Sequence, residues 1–534
     1  MAPNIAIPFI LFIISIITLT TSSHSLLSNE AFLQCLHLKT KTSIKNLSKL
    51  LYFPNNNTYS SFLLFSMVNT RFNTISTPKP LLIFTPTQDS HIQGSIICAK
   101  NHNLSLRVRS GGHDYEGLSS RSQHPQPFII LDLINLNSVT VNVEHGTAWV
   151  QAGATLGEVY YQIANKSSVL GFPAGICPSV GVGGHISGGG MGTMVRKYGL
   201  AADNVLDVRL VDVHGRILDK DSMGEDLFWA VRGGGAASFG VVLSWKLRLV
   251  PVPQTVTVFA ITKSAKEGAV ELIDKWQYIA YKLPEELFIE AIVQTVTNGS
   301  SRRVEGLFNC LFLGNSSELV RVMGERFPEL GVGMKDCKEM SWVQSVLFFG
   351  FSQSGLPADS LMDRKLQLQN KGLFKAKSDF VREPVPKDVL ERLWSRFMEV
   401  ERASMFMDPY GGKMAEISES ETPFPHRKGT LYNIQYLVGW SDTSSKASKE
   451  HIRWIRSLYK QMGPYVSRNP RAAYLNFRDL DLGRNEWRNT SYFKAKVWGV
   501  KYFKNNFKRL AFVKGDVDPE NFFRNEQSIP PLFL

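Results

Sequence analysis

The sequence predicts an α+β protein built in two parts, and three observations carry that expectation. Apolar runs at 81–84 and 105–109 flank a helical stretch and form a βαβ unit, which delivers the chain into Gly111-Gly112-His113. Pro251-Val-Pro253 marks the sharpest change in composition along the chain. Beyond it the order becomes strand, helix, strand, strand, helix, the pattern of an antiparallel sheet covered on one side by helices.

The chain has 534 residues, enough for two or three domains with real cores. The net charge is +13, but Lys and Arg are scattered rather than gathered in a stripe. That distribution argues against a nucleic-acid partner and fits a solvated basic surface near polyanions. Residues 1–25 read as a secretory signal: an apolar run from Ile5 to Leu19 ends in Thr20-Thr-Ser-Ser and is short for a membrane span. Its leading residues carry no Lys or Arg. The expectation is a monomer of the secretory route, extracellular, in the cell wall or in a vacuole or vesicle, without stable membrane association. Asn-x-Ser/Thr acceptors at Asn46, Asn56, Asn103, Asn165, Asn298, Asn315 and Asn489 agree with that route. Five cysteines in an oxidising compartment leave one with another task. Cys177 stands in a glycine loop and is the natural odd one; Cys310 and Cys337 pair or stay free. No Cys/His spacing suits zinc.

In order, 26–75 reads as helical with short loops, and Thr85-Pro86-Thr87-Gln88 as a helix start. Strands follow at 105–109 and 128–133, with a hairpin over 140–153. Thr155-Leu-Gly-Glu158 is a capping box for a helix to about Asn165. A strand runs over 204–213, and a long apolar one over 239–250. Past the proline break, Ser264-Ala-Lys-Glu267 caps a helix to about Leu283, and alternating strands cover 287–297 and 303–313. In the strand 430–440, Leu431, Asn433, Gln435 and Leu437 share one face. Residues 446–465 form an amphipathic helix.

Two glycine-rich stretches could carry chemistry. One is Arg109-Ser-Gly-Gly-His-Asp-Tyr-Glu-Gly117. The other is Gly175-Ile-Cys-Pro-Ser-Val-Gly-Val-Gly-Gly-His-Ile-Ser-Gly-Gly-Gly190. Glycine amides can cradle a pyrophosphate because no Cβ blocks close approach. Neither stretch fits the dinucleotide fingerprint of a nicotinamide-binding fold. From the residues alone, His113 is open as metal ligand, base, structural residue or covalent anchor, and Cys177 as a buried thiol or a nucleophile.

Both stretches closely resemble the plant berberine bridge enzyme-like flavoproteins of the vanillyl-alcohol-oxidase (PCMH-type) superfamily. The likeness covers almost the whole chain, including Pro409-Tyr-Gly-Gly-Lys-Met, Pro423-Phe-Pro-His-Arg, Leu431-Tyr-Asn-Ile-Gln-Tyr436 and Asn521-Phe-Phe-Arg-Asn-Glu-Gln-Ser-Ile-Pro530. It implies an FAD-binding domain over 26–250, a substrate domain over 251–470, and a C-terminal segment, 471–534, returning to the FAD domain. It implies FAD bound twice covalently, through His113 to the 8α-methyl carbon and through Cys177 to C6, which favours hydride abstraction. Ser110, Gly111, Gly112, Gly181, Val182, Gly183, Gly184, His185, Met191, Gly240, Val241 and Phe477 are assigned to the cofactor with them. The resemblance further implies a Cys35–Cys98 disulfide, catalytic roles for Tyr115, Gln435 and Tyr474, and an oxygen gate at Val180, where valine resembles the oxidase type.

Three positions depart from the family pattern: Met191 and Phe477 stand where tyrosine is usual, and Asn433 where many alcohol oxidisers have lysine. Methionine and phenylalanine take no proton, so Tyr115, Tyr474 and Glu416, or a carboxylate that the sequence does not place, remain as bases. The expected activity is oxidation of an alcohol, carbohydrate or aromatic or alkaloid metabolite, with O2 reduced to H2O2. The alternatives are a non-oxidative cyclisation guided by the flavoprotein and a non-enzymatic defence or storage role.

Overall fold

A computed structural model describes residues 30–299, 301–351, 355–367, 371–487 and 490–533. The expected signal and the acceptor Asn489 lie outside the described residues. Among the described residues, no helix is long and apolar enough to cross a membrane.

Strands β1 (Leu51–Tyr52), β2 (Ile83–Phe84), β3 (Ser105–Arg109) and β4 (Phe128–Asp132) form a first sheet in the order β1-β2-β4-β3. The expected βαβ unit is therefore split: β4 inserts between β2 and β3 and pairs parallel with both. The connecting helix begins at Asp89, later than the Thr85 start expected from the sequence. Thr85 does not cap it, because its hydroxyl donates instead to the carbonyl of Leu50, the residue before β1. A disulfide joins Cys35, on the helix over 30–40, to Cys98 on this helix, as the resemblance implied. Cys177, Cys310 and Cys337 are free.

The second sheet holds β5 (Val139–Asn142), β6 (Thr147–Gln151), β8 (Val205–Val211), β9 (Ile217–Leu218) and β10 (Val241–Arg248), in the order β5-β6-β10-β8-β9. β7 (Leu170–Gly171) and β11 (Val250–Pro251) make a short separate ladder. The Thr155–Glu158 capping box is present in both directions and starts the helix Leu156–Ala164. The helix Lys220–Val231 has no clear sequence signature, since Gly224 interrupts it with φ +75°. The Ser264–Glu267 box caps only one turn: Gly268 (φ +80°) ends that turn, and a new helix starts at Ala269.

The third sheet is antiparallel throughout. It comprises β12 (Val256–Ser264), β13 (Leu287–Asn298), β14 (Ser301–Phe312), β15 (Lys338–Met340), β16 (Leu373–Val381), β17 (Arg402–Pro409) and β18 (Tyr432–Trp440). The order is β15-β12-β14-β13-β17-β18-β16. Strand alternation divides its side chains between two faces. Ile289, Met405, Met407, Ile434 and Tyr436 pack with Trp276, Leu393, Phe397, Ile455 and Leu458 of the covering helices. The opposite face presents Glu290, Phe406, Asp408, Gln435 and Leu437 to a cavity.

A separate core unites residues of the first two sheets with Leu475, Leu482, Trp498, Leu510, Phe523 and Ile529 near the chain's end. A buried ion pair, Arg107–Glu526 at 3.1 Å, fastens that end to β3.

Candidate active site

The two glycine stretches and the third sheet's free face enclose a cavity of about 880 Å³, at the upper end of the range for ligand pockets. The two stretches touch backbone to backbone. A Cβ on Gly111 would stand 2.2 Å from the Gly181 nitrogen, so neither position admits a side chain. Ser110 Oγ donates to the Ala152 carbonyl at 2.6 Å and locks the first loop to β6's end. The amides of Gly111, Gly112, His113 and Gly184 make no backbone hydrogen bond among the described residues. A Cβ on Gly184 would meet nothing within 4 Å, because that residue opens onto the cavity.

His113 and Cys177 both line this space. His113 Nε2 lies 2.9 Å from Ser179 Oγ, and the Ser179 backbone also bonds the ring. Burial pulls the His113 pKa down to about 4, so the ring is neutral at neutral pH. Cys177 is exposed on the cavity wall, and desolvation by the surrounding protein raises its pKa. His185 accepts from the Gly175 amide at Nε2, 3.0 Å away, and burial brings it to about 4 as well.

Tyr115 and Gln435 come together as expected: Gln435 Nε2 donates to the Tyr115 hydroxyl at 2.7 Å. Burial, and then the neighbouring Cys177, push the Tyr115 pKa up, so the phenol keeps its proton. Phe477 stacks on Tyr115 with centroids 5.7 Å apart and planes 6° from parallel. Asp114 receives the Glu116 and Leu118 amides and pairs with Arg478 at 3.0 Å, which fixes the turn that presents Tyr115. Met191, Val180, Gly181, Gly183 and Gly240 also line the cavity.

Other expected residues lie elsewhere. Val182 and Val241 are fully buried in the first core and do not line the cavity. Tyr474 lies behind the lining, where its hydroxyl accepts the Gly190 amide at 2.9 Å and Asn476 Nδ2 at 2.9 Å. Burial pushes its pKa up to about 12. Glu416 is exposed and paired with Lys413, away from the cavity.

Two carboxyl groups that the sequence did not place do line the cavity: Glu290 on β13 and Asp408 on β17. Their side chains hydrogen-bond to each other, and burial drives both pKa values up, Glu290 to about 7. An acid inside Leu287-Phe-Ile-Glu-Ala-Ile-Val293, an otherwise apolar alternating strand, was the available signal.

The family model described as FAD binding domain matches residues 80–220, and that described as berberine and berberine like matches 473–530. Tetrahydroberberine oxidase of Berberis wilsoniae is 52% identical over 507 residues, 94% of each chain. Berberine bridge enzyme-like 22 of Arabidopsis thaliana is 50% identical over 535 residues, 98% of this chain and 99% of that one. The chain belongs to the berberine bridge enzyme-like family. Among solved structures, Phl p 4, a grass pollen allergen with glucose dehydrogenase activity, matches with a TM-score of 0.88 and 47% identity. That match spans 94% of this chain and 100% of the allergen. An isoleucine-to-valine variant of Phl p 4 is described as a glucose oxidase.

Like its relatives, this berberine bridge enzyme-like protein is an FAD-dependent oxidoreductase with the α+β, PCMH-type fold. The residues present fit FAD. Free amides from both glycine stretches line one cavity, Gly184 leaves room for close approach, and Arg107 on the lining keeps Nε and Nη1 unpartnered.

Proposed function

We propose that this protein is a flavin oxidase with doubly tethered FAD. Its substrate is an alcohol, a carbohydrate or an aromatic or alkaloid metabolite, and O2 is converted to H2O2. The carrying observation is that His113 and Cys177 open into one cavity from two loops whose backbones touch. A neutral imidazole on the cavity wall suits attachment at the 8α position, and the Cys177 thiol approaches from the other loop.

Bound FAD supplies the two-electron acceptor. The protein's residues orient the substrate and handle its protons. Gln435 holds the Tyr115 hydroxyl, so that Tyr115 directs a polar atom into the cavity. Phe477 and Phe374 flank that ring and keep water from it. Tyr474, clamped by the amides beside Met191, positions the second loop. Val180 lines the space, and the glucose oxidase activity of a valine variant of Phl p 4 supports reaction with O2. Secretory placement, supported by the apolar N-terminal run and the acceptor asparagines, and a monomeric state complete the reading.

Acid denaturation tests the tethers. The wild type retains its flavin in the pellet, His113→Ala and Cys177→Ala each retain it through the other link, and the double variant releases it. Free FAD from denatured wild type overturns double tethering. In the same preparations, peroxide release on mixing photoreduced enzyme with air is the expected oxidase signature, and slow reoxidation overturns it. A second reading, a guided non-oxidative cyclisation, draws support from Met191 and Phe477, which line the cavity with no titratable atom. Product formation without O2 uptake marks it.

A further inference from the structure

Glu290 stands apart from the other buried carboxylates. Glu116, Asp132, Glu158, Asp212, Asp379, Asp479, Asp518 and Glu526 each pair with an arginine or lysine. Glu290 does not: its partners are the Asp408 carboxyl and Asn309 Nδ2, at 3.3 Å. Among the described residues no cation pairs with either carboxyl. Buried charge without a counter-charge is costly, and this pair is held where the cavity reaches it.

The sheet register extends the feature into a row. β13 pairs Ala291 with Met407, which sets Glu290 beside Asp408, and β18 pairs Asn433 directly with Asp408. Asn433 is 0% exposed, and neither its Oδ1 nor its Nδ2 has a partner. It shares the face of Gln435 and Leu437, both of which line the cavity. Asn433 does not line the cavity itself, and as a buried amide without a partner it gives Asp408 no counter-charge.

The surroundings select the ligand's chemistry. Phe288 and Phe406 stand two residues from Glu290 and Asp408, on the same face, and both line the cavity. Aromatic rings beside a carboxyl pair without a counter-cation suit an organic cation and disfavour a fully hydrated ion. No group of three or more metal-ligating side chains occurs among the described residues.

We propose that Glu290 and Asp408 form the recognition site for the ammonium group of an amine substrate. This rests on the reading of the cavity as an oxidase substrate chamber and narrows its substrate class. The pair carries the counter-charge, and Phe288 and Phe406 cover the carbon skeleton.

Binding to the full-length holoenzyme tests it, with the flavin kept reduced under nitrogen so that no turnover occurs. The probes are N-methyl-1-benzyl-tetrahydroisoquinoline, a protonated tertiary amine, and its neutral ring lactam. Calorimetry at pH 7 is expected to show the amine binding at least about tenfold tighter. The double variant Glu290→Gln/Asp408→Asn lowers amine affinity by about tenfold and leaves the lactam within about threefold. Equal affinity of wild type for the two probes, or an amine preference that survives the double substitution, overturns the proposal. Peroxide release in air reads the parent hypothesis separately. Amine binding without peroxide from any substrate refutes the oxidase and keeps the site. Peroxide from alcohols or sugars with no amine preference refutes the site and keeps the oxidase.

Discussion

Two groups of buried carboxylates border the third sheet, and they are built on opposite plans. At the edge strand β16, Lys375 bonds Glu116 and Asp479, while Lys377 bonds Asp479 and Asp481. Arg71 and Arg456 close the network at either side. Charge there is matched within the protein. Mid-sheet, Glu290 and Asp408 have only each other and an asparagine. The contrast teaches that charge balance separates scaffold from site: matched charges hold the chain together, and an unmatched pair is maintained for something that arrives from outside.

Four substitutions sharpen or break that contrast. The largest effect is expected from Lys375→Met, which leaves Glu116 with Arg71 alone and Asp479 with Lys377 alone in a dry setting and should cost about 3 kcal/mol. An unchanged denaturant midpoint would mean that the edge network is not structural.

The pH dependence of unfolding comes next. Burial pushes Glu290 up to about 7, against an ordinary value of 4.5. Between those values the folded chain holds a proton that the unfolded chain has lost, so this pair removes stability as pH rises through that window. Burial also pushes Asp481 up, but Arg456, Lys375 and Lys377 outweigh it and hold it below its usual range. Its contribution is full at neutral pH and fades as pH falls below about 4. Unfolding free energies measured from pH 3 to 8 should therefore show Glu290→Gln flattening the neutral limb and Asp481→Asn the acidic one. The same limb changing in both variants would erase the distinction.

The smallest effect is expected from Asn433→Leu. Removing an unpartnered amide from a buried site should leave stability within about 1 kcal/mol of wild type, a change read by the thermal midpoint. A large loss would show that the amide has a structural partner.

Sequence reasoning reached the features whose causes are local. Thr155 and Glu158 cap a helix because each reaches the other's backbone three residues away. Alternation placed Gln435 and Asn433 on one face, and the register confirms their strand. The glycine stretches were readable because only glycine permits the approach that Gly111 and Gly181 make. What escaped depends on distant partners. Thr85 satisfies every local rule for a cap, yet its hydroxyl is taken by Leu50. The split βαβ unit follows from β4 entering between strands that precede it in the chain. Tyr474 was read as a candidate base, but the Gly190 and Met191 amides, far away in sequence, draw it behind the lining. Glu290 and Asp408 lie on strands separated by a long stretch of chain, and no motif joins them.

The way the chain's end is built into its beginning sets an order of events during biosynthesis. Arg107 on β3 waits for Glu526, and the first core waits for Trp498, Leu510 and Ile529. The loop presenting Cys177 rests, through Gly190, on Tyr474. Domains usually complete themselves as they leave the ribosome, N-terminal part first. Here the core around the first sheets stays incomplete without residues 475–529, and a chain lacking them has no finished chamber to fill.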